Sequence, residues 1–329
     1  MTVTQTDVVK TRNGSIAKKI GKISLIVIGG IIAAVILFLA ITFIADKISS
    51  KAEEKKLENA YGQLVPVDGK KMNVYIEGSG EETIVLLPGY GTAGPALDFK
   101  PLIAELSPHY KVVAVEPFGY GLSDPTDKER TTDNIVSEIH EALQQLGINR
   151  FILMGHSITG IYGLDYVNKY PNEVTAFAGI DTSVPTQGGM DTKLPIQGFK
   201  FLNKSGLLRL ILKVGSDPYA SLGYDEHTRE LLKMLSNRNS NEDTTLNELK
   251  NLYDNFVGAR KLSFPPNLPL ILFVAANNTG VKDWIPLHEE QIKQSEHGKL
   301  VKLEGDHYLH HTQSKAIAEN FRAFMTEMK

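Results

Sequence analysis

The stretch RFILMGHSITGIY, residues 150–162, constrains the fold more than any other part of this chain. Its apolar beginning, 151–154, is typical of a short buried strand, and 161–170 has the amphipathic spacing of a helix. The connection between them, 155–160, can be this tight only where small residues relieve the crowding of the backbone. The stretch therefore predicts a strand, a sharp turn and a helix, with Ser157 held in a strained conformation at the turn.

Further apolar strand patterns alternate with helical patterns on both sides of this turn. The strands QLVPV and KMNVYIE flank a turn signal and predict an antiparallel hairpin over 63–77. The other predicted strands are 83–87, 111–115, 174–180, 268–275 and 300–303, and the longest predicted helices are 132–146 and 314–328. Apolar strands alternating with helices predict an α/β fold whose mostly parallel, eight-stranded sheet is covered on both faces.

The pattern changes between residues 182 and 266, where no strand is indicated. Three amphipathic segments, 207–213, 227–235 and 245–256, are separated by joints rich in Gly, Asn and Ser. An insertion of this length between two core strands is typical of a helical lid over an active site.

A long apolar run without charges, residues 23–45, precedes the domain. It is long enough to cross the hydrocarbon core of a bilayer, which takes roughly 20 helical residues. A cleaved signal peptide has a shorter apolar region, and a large Phe43 stands where such a peptide needs a small residue. We therefore predict a basic tail over 1–22, a transmembrane helix over 23–45 in contact with membrane lipid, a stalk over 46–62, and a folded domain over 63–329.

The lysine-rich tail predicts an orientation for this helix. Basic residues favour the cytoplasmic side, which places the tail in the cytoplasm and everything after the run outside it. Four lysines just beyond the run weaken the asymmetry; they are Lys47, Lys51, Lys55 and Lys56. The expected location is the cell membrane, with a single pass and an extracytoplasmic domain.

Composition excludes several classes of function. The formal net charge of -3 gives no reason to expect a nucleic-acid partner. The chain has no cysteine, which excludes disulfides, thiolate catalysis and cysteine-based zinc sites. No nucleotide-binding glycine loop follows the first apolar strand, and no cofactor is expected.

Five stretches together resemble the α/β-hydrolase superfamily, in particular bacterial membrane-anchored hydrolases with a helical lid. They are LLPGYG at 86–91, EPFGYGLSD at 116–124, GHSITG at 155–160, LPLILFVA at 268–275 and GDHYLHH at 305–311. The resemblance covers nearly everything from residue 63 onward. One departure stands inside the G-x-S-x-G motif around Ser157, where Thr159 occupies the place of the second glycine and Gly160 follows one residue late.

The resemblance implies a catalytic triad. Ser157 would be the nucleophile and His307, which follows the last predicted strand, would be its base. A serine hydroxyl is inert at neutral pH unless a base takes its proton, and imidazole titrates in the range that allows it to do so.

The third member of the triad is open. The usual position after the seventh strand holds Asn277 and Asn278, and an amide cannot carry the negative charge that stabilises an imidazolium. Two carboxylates remain: Asp181, at the end of the strand that follows the predicted helix, and Asp283, further along the loop. A strand end is fixed better than a long loop, which favours Asp181 slightly, with Asp283 as the alternative.

The backbone N–H groups of Tyr90 and Ile158 are the oxyanion hole that the resemblance implies. His310 and His311 invite a metal site, but no set of partners with ligand spacing accompanies them, so we predict no metal. Glu116 is expected to be buried and to form structural hydrogen bonds.

The expected function is a membrane-anchored serine hydrolase that cleaves ester, thioester or amide bonds through an acyl-enzyme, with a small-molecule or acyl substrate in the manner of a carboxylesterase or lipase. The alternative is a catalytically weak binding or sensor protein on the same fold. Thr159 and the two asparagines at the usual acid position motivate that second hypothesis.

Overall fold

The computed structural model describes residues 5–192, 194–278 and 280–328, with side chains from residue 18 onward. Its first element, α1 (Gln5–Leu57), runs without a break from the predicted tail through the predicted membrane span and into the predicted stalk, where it ends at Leu57. The first four residues of the predicted tail lie outside the described residues. The part of α1 over 18–57 is the one helix of the described residues that is long and apolar enough to cross a membrane, a property it would share with a signal sequence or a buried core helix.

An eight-stranded sheet forms the centre of the domain, in the order β1-β2-β4-β3-β5-β6-β7-β8. The strands are β1 Gln63–Val67, β2 Lys70–Glu77, β3 Thr83–Leu87, β4 Lys111–Glu116, β5 Phe151–His156, β6 Val174–Ile180, β7 Leu270–Ala275 and β8 Gly298–Leu303. The predicted hairpin is confirmed, since β1 and β2 pair antiparallel, and β2 also lies antiparallel to β4. The remaining neighbours are parallel, as predicted.

Helices cover both faces of this sheet. After α1 they are α2 Pro95–Asp98, α3 Lys100–Leu106, α4 Thr132–Gln145, α5 Thr159–Lys169, α6 Ile196–Lys204, α7 Leu207–Val214, α8 Glu226–Asn239, α9 Asp243–Ala259, α10 Trp284–Ile292, α11 Leu309–Thr312 and α12 Ser314–Glu327. Helix α4 starts at Thr132, as predicted, where the hydroxyl of Thr131 accepts a hydrogen bond from the Asn134 N–H and caps the helix.

The two faces of the sheet form two separate apolar cores. One core joins α4 and α5 to the side chains of alternate strand positions such as Leu153 and Leu272. The other joins α3 and α12 to the opposite positions, such as Met154 and Phe273. Burial on both faces explains why β5 and β7 are apolar throughout instead of alternating.

The antiparallel edge of the sheet is tied to the domain through Glu116, which is fully buried as predicted. Its carboxylate accepts hydrogen bonds from the Asn73 amide, the Tyr61 hydroxyl and the Leu122 N–H at 2.9, 3.0 and 2.8 Å. Gly121 is required beside it, because a Cβ there would lie 1.7 Å from a carboxylate oxygen. These bonds join β2, β4 and the segment after α1.

The segment predicted to form a lid folds as four helices, α6 to α9, between β6 and β7. Three of them match the predicted amphipathic segments, and α6 is an addition that the sequence reading missed. Helix α9 lies against α5 and α6, and the Tyr90 hydroxyl donates to the Thr245 carbonyl of α9 at 3.1 Å.

Candidate active site

Ser157 lies directly after β5, at the sharp turn that the sequence predicts. Its φ is +53°, which is a strained conformation for a residue with a side chain. The turn is held from both sides: the Ser157 N–H donates to the Ile180 carbonyl at 3.2 Å, and the Ser157 carbonyl accepts from the Ser183 N–H at 2.7 Å. Neighbouring backbone therefore fixes the strained residue and points its hydroxyl away from the strand.

Two glycines and a threonine make this turn possible. A Cβ at Gly155 would lie 2.2 Å from Thr159 Cγ2, and a Cβ at Gly160 would lie 2.1 Å from the Ser183 carbonyl. Thr159 is fully buried and its hydroxyl donates to the Pro88 carbonyl at 2.9 Å. The departure from the expected glycine thus adds a bond that joins the turn after β5 to the turn after β3.

His307 lies in the loop between β8 and α11, within hydrogen-bonding distance of Ser157. Its Nε2 is 2.9 Å from Ser157 Oγ, and its Nδ1 is 2.7 Å from Asp181 Oδ2. The His307 carbonyl is 3.0 Å from Nε2 of His156, the residue before the serine. The loop that carries His307 is therefore bound to β5 through its backbone as well as through its side chain.

Asp181 follows β6, has a φ of +44° and is completely buried. Its Oδ1 accepts hydrogen bonds from the Ala275 N–H at 2.8 Å and from Trp284 Nε1 at 2.7 Å. Its Oδ2 faces His307 and also accepts from Asn278 Nδ2 at 3.3 Å. A buried carboxylate with donors on both oxygens is fixed in position.

The alternative acid, Asp283, is not among the hydrogen-bond partners of His307 in the described residues. It stands at the N-terminal end of α10 with a left-handed backbone and makes no side-chain capping bond there. The following residue, Trp284, is the one that reaches Asp181. Of the two asparagines at the usual acid position, Asn278 donates to Asp181 and Asn277 donates to Glu304.

The backbone N–H groups of Tyr90 and Ile158 lie on the two turns that meet at Ser157. Gly89, in the turn after β3, is so close that a Cβ there would lie 3.2 Å from Ser157 Cβ. Ile158 begins the turn into α5. Within the described part of the chain, neither N–H donates to another backbone group outside the regular elements.

A buried carboxylate that the sequence reading missed lies under these turns. Glu248 of α9 is 1% exposed and accepts hydrogen bonds from the Tyr120 hydroxyl at 2.9 Å and the Tyr162 hydroxyl at 2.5 Å. Burial raises the pKa of Glu248, while the two hydroxyls act against that rise. The three side chains bind α9 to the segment after β4 and to α5. Their signal in the sequence is a glutamate on the apolar face of a predicted helix.

A second missed cluster joins α2 to α11. Asp98 is 2.7 Å from His310 Nε2 and 2.8 Å from His311 Nε2, and the possible ligand atoms of the three lie within 4.8 Å of one another. Burial alone would raise the pKa of Asp98, but the charge and hydrogen bonds of the two histidines outweigh it and hold that pKa well below its usual range. These short bonds account for the cluster without an ion, and the absence of a metal stays a prediction.

A family model described as alpha/beta hydrolase fold matches residues 82–255, just over half of the 329-residue chain. The chain belongs to the α/β-hydrolase family. The resemblance seen in the sequence is thereby confirmed. A relative of this hydrolase is the uncharacterized protein YbdG of Bacillus subtilis (strain 168), which is 30% identical over 257 residues covering 75% of this chain and 78% of YbdG.

Solved structures of other enzymes share the fold of this α/β hydrolase. The enol-lactonase from Burkholderia xenovorans LB400 superimposes with a TM-score of 0.62 and 16% identity, over 80% of this chain and 100% of the lactonase chain. The epoxide hydrolase VrEH1 from Vigna radiata gives a TM-score of 0.64 and 18% identity, over 80% and 97% of the two chains. At these identities the similarity shows the fold alone.

Proposed function

We propose that this α/β hydrolase is a membrane-anchored serine hydrolase that cleaves ester, thioester or amide bonds through an acyl-enzyme. The observation that carries the proposal is the continuous chain of hydrogen bonds from Ser157 through His307 to Asp181, at 2.9 and 2.7 Å. A nucleophile, a base and an orienting carboxylate in this order have the geometry that acyl transfer requires.

In the proposed reaction, Ser157 Oγ attacks the carbonyl carbon of the substrate while His307 Nε2 takes the hydroxyl proton. The C–O bond to the leaving alcohol then breaks, and His307 returns the proton to that alcohol. Water, activated by the same imidazole, hydrolyses the acyl-enzyme and releases the acid. Asp181 keeps the His307 proton on Nδ1, which leaves Nε2 free to act as a base, and it stabilises the imidazolium that forms.

The tetrahedral intermediate carries a negative charge on the former carbonyl oxygen. The N–H groups of Tyr90 and Ile158 are proposed to bind that oxygen, because they flank Ser157 on two turns held together by the Thr159–Pro88 hydrogen bond. Each preorganised donor of this kind contributes about 3 kcal/mol to lowering the barrier.

The serine at position 157 favours acyl transfer over other hydrolase chemistry on this fold. In the dehalogenase and epoxide-hydrolase branches of the superfamily the nucleophile is an aspartate. Carboxylesterase or lipase-like action on an acyl substrate fits the helical insertion α6 to α9, which we propose to act as a lid, and the adjoining apolar helix α1.

The rival hypothesis, a catalytically weak binding protein, rested on Thr159 and on the asparagines at the usual acid position. Thr159 donates a hydrogen bond across the site, and Asn278 donates to the aspartate that faces His307. Both departures therefore have roles that are compatible with catalysis.

A fluorophosphonate probe tests the proposed chemistry, because it reacts with activated serines only. We expect stoichiometric labelling of the folded protein, complete loss of label in Ser157→Ala, and retention of label in Ser183→Ala, a matched control at the neighbouring turn. Hydrolysis of nitrophenyl esters of increasing acyl length then defines the substrate. Folded protein that takes no label and cleaves none of the esters would refute the proposal.

We also propose that residues 23–45 span the cell membrane once, with the N-terminus in the cytoplasm and the hydrolase domain outside. The absence of cysteine allows single-site labelling of intact cells with a membrane-impermeant maleimide. Lys315→Cys, whose native side chain is 76% exposed on α12, should be labelled in intact cells, and Ser15→Cys only after lysis. The reverse result would invert the proposed topology.

A further inference from the structure

The helical insertion presents apolar side chains that the rest of the described chain leaves uncovered. Neither α6 nor α7 contains a buried residue. The α6–α7 face consists of side chains that are 38 to 77% exposed: Phe201, Leu210, Ile211, Leu212 and Val214. Single exposed apolar residues are common, but five of them on two successive short helices mark a binding surface.

Specific contacts fix this surface to α1. The Thr42 hydroxyl donates to the Ser205 carbonyl at 2.9 Å. At the joint between α6 and α7, Gly206 has a φ of +76°, and a Cβ there would lie 2.4 Å from the Thr42 carbonyl. The joint therefore packs directly on the backbone of α1, where only a glycine fits.

Arg209 of α7 completes the attachment. Its guanidinium is 2.8 Å from Asp46, 2.6 Å from Glu53 and 2.8 Å from the Ser50 hydroxyl. These partners lie one after another along α1, directly beyond the apolar run, which holds α7 beside that part of α1. The arginine side chain is only 14% exposed, so the ion pairs are screened less than surface pairs are.

The position of these contacts along α1 sets the depth of α7 in a bilayer. At 1.5 Å per residue, residues 23–45 extend over roughly 33 Å, close to the ~30 Å thickness of a hydrocarbon core. Thr42 then lies about 5 Å inside the boundary and Asp46 just outside it. A pair of helices fixed to these two residues lies at the level where acyl chains meet headgroups.

The charges around the face suit the same location. Lysines lie close to it along the chain, on the insertion and on the adjoining part of α1; they are Lys47, Lys51, Lys204 and Lys213. A short amphipathic helix with lysines beside an apolar face binds at the lipid interface, with its apolar side chains buried about 5–10 Å into the headgroup and acyl boundary.

We propose that the α6–α7 face lies in the lipid bilayer beside α1, so that the insertion is a second point of membrane contact. The inference rests on the proposed membrane span. The segment that follows α7 carries Tyr219, whose ring centroid is 6.2 Å from that of His311 in α11, the short helix that follows the His307 loop. The segment next to the lipid-bound helices thus contacts the helix that directly follows the His307 loop.

Single-cysteine variants of the full-length chain test the proposal, because the native sequence contains no cysteine. Ile211→Cys and Val214→Cys are labelled with an environment-sensitive fluorophore in vesicles of phosphatidylcholine and phosphatidylglycerol in equal parts. Lys315→Cys is the exposed control on α12, and Ile32→Cys is the control within the apolar run. Quenching by a lipid-borne nitroxide and by aqueous iodide is compared among the four variants.

We expect the labels at 211 and 214 to be quenched by the lipid nitroxide and to show about threefold less iodide quenching than the label at 315, as for side chains at an interface. Equal iodide quenching at 211, 214 and 315, with lipid quenching retained at 32, would overturn the proposal and leave the membrane span intact. Loss of lipid quenching at 32 would instead refute the span and the proposal together. Protection from both quenchers at 211 would indicate a second copy of the chain on the face and also overturn it. None of these readouts needs catalysis.

Discussion

Replacement of Asp181 by asparagine separates the charge of this side chain from its shape. Asp181 Oδ1 accepts from two donors, the Ala275 N–H at 2.8 Å and Trp284 Nε1 at 2.7 Å. An asparagine must keep its carbonyl oxygen in that place, because its NH2 group cannot face two donors. The NH2 group then takes the place of Oδ2, which is 2.7 Å from His307 Nδ1.

This orientation forces His307 into the wrong tautomer. Nδ1 has to accept a hydrogen bond from the new NH2 group, so the imidazole proton moves to Nε2, which faces Ser157 Oγ at 2.9 Å. An Nε2 that carries a proton cannot take another from the serine. In a serine protease triad the equivalent change lowers kcat about 10⁴-fold, which is a barrier increase of about 5 kcal/mol.

The assay is kcat/KM for nitrophenyl butyrate with Asp181→Asn, and Asp283→Asn as the matched control. We expect a loss of about 10⁴-fold in the first variant and a change within about twofold in the second, because Asp283 is not bonded to His307. Circular dichroism establishes that both variants are folded. A folded Asp181→Asn variant that retains more than about a tenth of the native activity would refute the tautomer argument, which demands a far larger loss.

Three further changes test the packing around the site. Arg130→Ala leaves Glu138, which is 2% exposed, without its ion-pair partner at 2.6 Å. The free energy of unfolding, measured by urea titration, should fall by about 3–5 kcal/mol. The control Lys293→Ala, at an exposed ion pair, should change it by less than about 0.5 kcal/mol. Burial, followed by the charges of neighbouring histidines, holds the pKa of His156 well below its usual value. The folded state holds this imidazole neutral, so the free energy of unfolding is at its full value above about pH 6.5 and decreases as the pH falls below it, by up to about 1.4 kcal/mol per pH unit. His156→Gln removes the titrating group, and the melting temperature should therefore fall less steeply in acid. Gly89→Ala puts a Cβ 2.5 Å from His156 Nδ1 and should slow fluorophosphonate labelling, measured as the rate of label incorporation.

Local sequence signals were sufficient for the sheet. The strand over 174–180 was predicted with the bounds that β6 has, since an apolar run bounded by turn residues leaves little choice of register. Ser157 and His307 were found through the resemblance to α/β hydrolases; each also follows a recognisable strand, and the ends of parallel strands meet at one edge of the sheet. Their proximity is therefore a consequence of topology.

The supporting contacts could not be derived in the same way. Trp284 and Asn278 reach Asp181 across a loop whose path no local pattern specifies, and Glu248 meets its two tyrosines from a helix inserted far along the chain. Helix α6 was missed because it is short, so that its amphipathic pattern covers few residues, and because its side chains contact little of the domain. Such contacts depend on how segments distant in the sequence pack together, which local patterns in a single sequence do not show.

The register of the central strands explains why the proposed acid can stand after β6. His156 pairs with Ile180, so the next residues, Ser157 and Asp181, leave the sheet side by side on neighbouring strands, about 5 Å apart. Both have a positive φ, +53° and +44°, which costs about 1–3 kcal/mol each. The backbone offsets that cost, since the Asp181 N–H donates to the Phe273 carbonyl at 2.7 Å and the Ser183 N–H donates to Ser157 at 2.7 Å. Two equivalent turns thus project a hydroxyl and a carboxylate toward the same side, and one imidazole can bridge them. An acid after β7 would be one strand further from the serine. Because the carboxylate stands after β6, the position after β7 can hold Asn278, which donates a hydrogen bond to Asp181.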